Sequence, residues 1–385
     1  MVREVARVTT RWIVVVVVAC GIAWPVLTAA PRWGRLTVTP IVITPPLEYI
    51  PTDEGAVRPP MWHFAAAVVP RLDEVLSGAG LSEEDVEHLR ATAKPDSSGG
   101  VVLAPDAALV RALAPDVRAR LYAELTKNPL NFDQLSAFRF HGASVEDWLG
   151  PDIAPEARKL VEPLVYRDGD FLFLADLESV RAQIGNGPAL QRLIKRLLAQ
   201  ATVQVTLDVE DPAQVDSLAE YWGRGGRKVD ILPVLESAAD NSFNHSVDIT
   251  YLLPDLARRL LYRYQKISLA ELEKSQLDNC FWTALNFFND DPDDRLMDPK
   301  FALERLQQDY YLVHDELQLG DIVALSDQKL NIFHVAVYLA EDLVFTKNGY
   351  FSLAPWTIVP IDRLKGHFAE HRDDWRVTYY RRKDQ

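Results

Sequence analysis

The first pattern along the chain is an uncharged apolar run from Trp12 through Val14–Val18 to Ala30, preceded by Arg3, Arg7 and Arg11. It has no amphipathic period, so it reads as an export signal or membrane anchor rather than a buried helix or strand. Its length is close to the roughly 20 residues that span a bilayer, and the arginines predict a cytoplasmic N-terminus with the rest of the chain outside. Thr28-Ala29-Ala30 has the small residues of a cleavage site, but Pro31 behind it opposes cleavage and favours an uncleaved anchor. Val17-Val18-Ala19-Cys20 is a poor lipidation box, because apolar residues continue well past Cys20.

The stretch 31–60 is rich in proline and β-branched residues and predicts an extended tether. Helical spacing follows over Trp62–Leu76 and again over Leu81–Ala93, where Ser82 and Asp85 form a capping signature. Lys94–Gly100 reads as a loop. Apolar positions at Leu109, Leu113, Val117, Leu121 and Leu125 continue the helical period, with Pro115 breaking the stretch into two helices. From Asp168 the texture changes to mixed α/β. Phe171–Ala175 and Val203–Val209 predict strands, Leu177–Gln200 and Pro212–Tyr221 helices, Gly223–Arg227 a turn and Val229–Leu235 a third strand. Leu256–Tyr264 predicts a helix leading into the last region. There Cys280 opens a helical pattern carried by Phe281, Ala284, Leu285 and Phe288, and three strands follow at Ile322–Leu325, Phe333–Leu339 and Asp342–Thr346.

These patterns divide the chain into a signal or anchor (1–30), a tether (31–60), a helical then mixed α/β region (61–250) and a C-terminal region (251–385). The overall expectation is an α+β protein whose C-terminal part packs a cysteine-bearing helix on a small antiparallel sheet. The 385 residues exceed one ordinary domain, so two folded domains behind the N-terminal appendage are expected. A formal charge of -14 without a basic stripe argues against a nucleic-acid partner. No P-loop, dinucleotide fingerprint or zinc-ligand spacing is present, so no cofactor is expected. The acidic run Asn289–Asp294 lacks the glycine and distal glutamate of a calcium loop and reads as solvated. Tyr310, Tyr311, Tyr350 and Trp356 are core aromatics by default, with a groove as the alternative.

Of the two cysteines, Cys20 sits in the apolar run, so an exported body would carry a single thiol without a disulfide partner. Cys280 falls in the first turn of its helix, where unpaired backbone N–H groups favour a thiolate. His334 begins a strand on the same face as Ala336 and Tyr338, well placed to meet a helix start packed across the sheet.

Cys280, the dipeptide Gly320-Asp321 and His334-Val335-Ala336-Val337-Tyr338 together resemble NlpC-type cell-wall peptidases and their CHAP amidase relatives in the papain-like superfamily. The resemblance covers about 110 residues and rests on order and spacing. It implies a papain-like fold, Cys280 as nucleophile, His334 as general base and later acid, and a peptide or cell-wall fragment as substrate. It places a third, orienting group on the following strand, at Thr346, while Asn348 shares that parity and is chemically the better orienter. Lys347 between them would oppose an imidazolium. The flanks depart from the family. Asn279-Cys280-Phe281-Trp282 stands where Asp-Cys-Ser-Gly is usual, and Tyr262 and Tyr264 lack the usual Gly-Gly, which leaves the substrate open.

Trp282 also suits transglutaminase-like enzymes, but Asp342 follows His334 too closely for their spacing. Two other classes stand beside the enzyme: a papain-like module that binds without cleaving, and a membrane-tethered scaffold working through residues 61–250.

Overall fold

The computed structural model describes residues 31–50, 56–241, 243–265, 278–348, 354–364 and 375–384. The apolar run 12–30 and Tyr350 lie outside them. No helix among the described residues is long and apolar enough to cross a membrane.

The fold is α+β, with four antiparallel sheets among the described residues. β1 (Arg35–Ile43) pairs along its whole length with β8 (Gln200–Asp208), which also pairs β9 (Ser246–Asp248). Residues 35–43 are therefore not a tether. Their β-branched alternation is extended because it is a sheet edge, where Pro40 costs no inner ladder bond. A second sheet joins β2 (Trp62–Phe64), β4 (Val101–Leu103) and β3 (Lys94–Pro95) in that order. A third orders β5 (Phe138–His141), β7 (Phe171–Leu174) and β6 (Tyr166–Asp168).

Three helical expectations come out as read. Ser82 caps the helix Glu83–Thr92 through Asp85 N–H, and Pro115 starts a new helix, Pro115–Leu125, after Ala107–Ala112. Two expectations are corrected. Trp62 and Phe64 alternate inward as a strand, and the helix begins only at Leu72 (Leu72–Ala79). Val229–Leu235 lies within the helix Lys228–Ala239, which buries Ile231, Leu235 and Ala238 on one side and leaves Pro233 exposed.

The largest sheet has six strands: β10 (Tyr310–Leu312), β15 (Arg376–Arg382), β11 (Ile322–Ser326), β12 (Ile332–Ala340), β13 (Leu343–Lys347) and β14 (Trp356–Pro360), hydrogen-bonded in that order. One face packs Ile322, Ala324, Val335, Val337 and Phe345 against the helix Cys280–Leu285. The other buries Val323, Leu325, Ala336, Tyr338 and Val344 in a separate core. The first of these cores is shared with Val203, Val205 and Leu207 of β8, so it runs continuously across position 250. The Thr202 hydroxyl seals that junction, donating to Ile358 O (2.7 Å) and accepting from Ile358 N (3.2 Å).

Gly320 and Asp321 have structural work at the start of β11. Gly320 has φ +94°, and a Cβ there would sit 2.0 Å from Phe288 Cε2, so only glycine fits. The buried Asp321 carboxylate accepts from Gln318 N and takes both Arg381 Nε (2.8 Å) and Nη2 (2.7 Å), tying β15 to the turn.

Candidate functional site

Asn279 starts the short cysteine helix. Its backbone is extended, its Oδ1 accepts from Trp282 N (3.0 Å), and its Nδ2 donates to Met297 O (2.8 Å). The asparagine that replaces the family's aspartate is thus an N-cap that also anchors the helix start. Cys280 follows as the first helical residue, 5 % exposed. Backbone N–H groups of Val335, Phe281 and Cys280 itself favour the thiolate, but loss of water outweighs them and pushes the thiol up to about 11. The expected thiolate is therefore not the resting form. A helix of one and a half turns offers too little field to offset full burial.

His334 leaves β12 at an irregularity. Leu325 pairs with His334 while Ser326 pairs with Ile332, which leaves one extra residue on β12. Bulges of this kind re-aim side chains and are common beside active sites. The ring is 1 % exposed, and burial pushes it down to about 3. Its pairing with Leu325 and its parity with Ala336 assign it to the face opposite the cysteine helix. Cys280 meets the same strand one residue on, at the Val335 N–H.

The ladder between β12 and β13 runs from Ala340↔Leu343 to Val337↔Phe345. Nearer the start of β12 the two strands are joined by side chains. His334 Nε2 lies 3.0 Å from Thr346 Oγ1, and the Thr346 hydroxyl donates to Asn348 Oδ1 (3.3 Å). Because the single hydroxyl proton goes to Asn348, Nε2 is assigned as the donor to Thr346, and the basic lone pair falls on Nδ1. The structure thus brings His334, Thr346 and Asn348 into one chain, with Thr346 touching the ring and Asn348 behind it.

Lys347 points the other way. It lies on the face of Phe345, towards the cysteine helix, with Nζ donating to Ala354 O (2.8 Å) and seated 4.3 Å from the Trp356 ring centroid. Burial lowers its ammonium to about 8, partly offset by Asp278. The Trp356 indole in turn donates to Thr283 Oγ1 (2.9 Å) on that helix. A lysine on the thiol's side of the sheet is a feature that strand parity could have revealed, since 347 must oppose 346 and 348.

The remaining expected residues have structural places. Tyr262 OH donates to Val203 O (2.6 Å), and Tyr264 OH bonds Ile43 O and Leu198 O, so both tie the C-terminal region to the β1–β8 sheet. Tyr310 and Trp356 are buried and Tyr311 is exposed, so these three do not line a common groove. Among the described residues no group of three or more His, Cys, Asp or Glu is placed to hold a metal ion. No family model, curated protein or solved structure matches the chain.

Proposed function

We propose that the chain is an envelope-facing thiol hydrolase of the papain-like kind, held to the membrane through residues 12–30, that cleaves an amide bond in a peptide or cell-wall fragment. The observation that carries this reading is the His334–Thr346–Asn348 chain. It ties the imidazole through Nε2 and assigns the basic lone pair to Nδ1, on a ring one residue along the strand from the point where the thiol arrives. The reaction needs the ring and the thiol brought to one face of the sheet; the Cys280 S–H proton then passes to Nδ1 as sulfur attacks the amide carbonyl carbon. The C–N bond then breaks as Nδ1–H protonates the departing amine, and water, deprotonated by His334, hydrolyses the thioester. With the thiol raised and the imidazole lowered by burial, the resting pair is neutral. Transfer therefore needs an ion pair to form as the reaction begins, and the site's low dielectric makes that step costly.

The same burial, together with the placement of the two groups on opposite faces of the sheet, favours a second reading in which the domain binds envelope ligands without cleaving them. Two measurements separate them. Digestion of purified cell-wall fragments and of simple peptides by the full chain, compared with Cys280→Ala, should release new amine ends only with the thiol present. Labelling of Cys280 with iodoacetamide should lose rate on His334→Ala. Labelling that rises with pH as for an ordinary thiol, is indifferent to that change, and goes with no hydrolysis would establish the binding module instead.

A further inference from the structure

A cavity of about 770 Å³ is walled by the β5–β7 sheet, the start of β8, Asn348 after β13 and the first residues of β14 with those before it. Neither Cys280 nor His334 lines it, but Asn348 does. Its size falls in the range of small-molecule sites. Phe138, Phe173, Leu135, Leu174 and Leu198 give it an apolar body. At one end Asp133 and Glu178 are already matched by Arg58, which bonds Glu178 through its N–H (3.0 Å) and Asp133 through Nη2 (3.3 Å).

The other end has the opposite character. Arg139, Gln200, Asn348 and Thr357 line both the cavity and a small recess behind it, and Arg363 and His141 complete the recess. Among the described residues, no carboxylate lines this recess. Thr357 is 4 % exposed, yet its Oγ1 has no hydrogen-bond partner, and Arg363 Nη1 is likewise buried without one. Such groups are costly to leave unmet, and a pair of them flanking one recess calls for an acceptor that both can reach. His141 is held below its ordinary value first by burial and then by Arg363, with Asp170 opposing and Arg167 adding slightly. The described lining of the recess is therefore short of negative charge.

We propose that this cavity binds a small amphipathic anion, its acid group received by Arg139, Arg363 and the Thr357 hydroxyl and its apolar body lying along Phe138 and Phe173. The proposal does not rest on the hydrolase reading, because the cysteine helix contributes nothing to the cavity wall. Asn348 is the one residue common to this site and the His334 chain.

The test uses the full chain and anilinonaphthalene sulfonate as a fluorescent probe. One saturable site is expected, displaced by decanoate and not by decylamine. Arg363→Gln and Arg139→Gln should each weaken probe binding about tenfold, as loss of a charge-assisted contact does. Thr357→Val is the control for folding: it removes an unmet buried hydroxyl, so the ligand-free Tm should hold or rise while the Tm shift given by decanoate shrinks by half or more. Cys280→Ala should leave probe binding unchanged. Equal displacement by decylamine, or affinities unaltered in both arginine variants, would overturn the proposal, as would a decanoate shift fully retained in Thr357→Val.

Discussion

Two buried polar clusters in this molecule are built on opposite principles. In the N-terminal half, Arg118 is fully buried and meets the buried Asp176 through Nη1, while Tyr122 OH donates to Asp176 Oδ1 (2.7 Å) and Arg118 Nη2 donates to Val110 O (2.7 Å). Burial raises the aspartate, but the guanidinium beside it and the tyrosine hydroxyl work to keep it ionised. Charge is matched by charge, and the cluster pins the helix Pro115–Leu125 to the segment after β7. In the C-terminal half, Cys280 and His334 are just as buried, and burial dominates the shift of each, driving both to the neutral form. The first cluster uses ionisation to hold the fold. The second confines ionisable groups where folding gains little from their charge.

The sharpest way to break that comparison is to remove one charge from the first cluster. Arg118→Met strands Asp176 and should cost about 3–5 kcal/mol in urea unfolding, whereas Arg118→Met/Asp176→Leu should recover much of the loss. If the single substitution were as mild as the double, the cluster would not depend on matched charge. The second cluster should respond to pH instead. His334 titrates near 6.5 when unfolded and about 3 when folded, so between those values the unfolded chain binds a proton that the folded chain refuses. Unfolding free energy should then fall by about 1.4 kcal/mol for each pH unit below about 6.5, down towards pH 3, with the full contribution present above 6.5. His334→Gln should remove that component of the acid limb.

Both clusters bear on what a sequence can reveal. The order Cys280, Gly320-Asp321, His334 was legible because each residue is marked locally, by a helix start, a turn or a strand start. The Thr346 contact was anticipated only through the resemblance, because continuing the Val337↔Phe345 register sets Asn348, not Thr346, opposite the histidine. Local marks do not carry function, however: Gly320 and Asp321 turned out to shape a turn and hold Arg381. The bulge at His334 was not legible, because it arises from how β11 and β12 pair. Nor was the Arg139–Arg363–Thr357 recess, which gathers residues more than 200 positions apart. Short apolar runs misled in the expected way: Val229–Leu235 has strand composition, and only the continuation to Ala239 completes a helical face. The stretch 35–43 has the composition of both tether and edge strand, and β8 decides between them.

The thiol gives an alkaline counterpart of smaller span. Its ordinary value near 9 is raised to about 11 in the fold, so above pH 9 the unfolded chain releases a proton that the folded chain retains. Stability should decline from about pH 9 towards 11, and Cys280→Ala should flatten that component of the limb while leaving the acid limb in place. An unfolding profile in which Cys280→Ala altered the acid limb would mean that the two groups titrate as a pair, joining what their opposite faces separate.

The smallest expected effect is the most informative about His334. Thr346→Val keeps the shape of the β13 side chain but removes the acceptor for Nε2–H, leaving a buried donor unmet at a cost of about 1–3 kcal/mol. Asn348→Ala removes only the acceptor behind Thr346, at a 3.3 Å contact nearer the cavity, and should cost less than half as much. A purely structural chain would show those costs in urea unfolding and nothing else. A chain that orients a base should also change the reaction: Thr346→Val should lower kcat with little change in KM, and Thr346→Ser, which restores the hydroxyl, should recover it. Stability lost without any change in the rate or pH dependence of Cys280 labelling would leave His334 a packed residue of the sheet and bring the two clusters back under one principle.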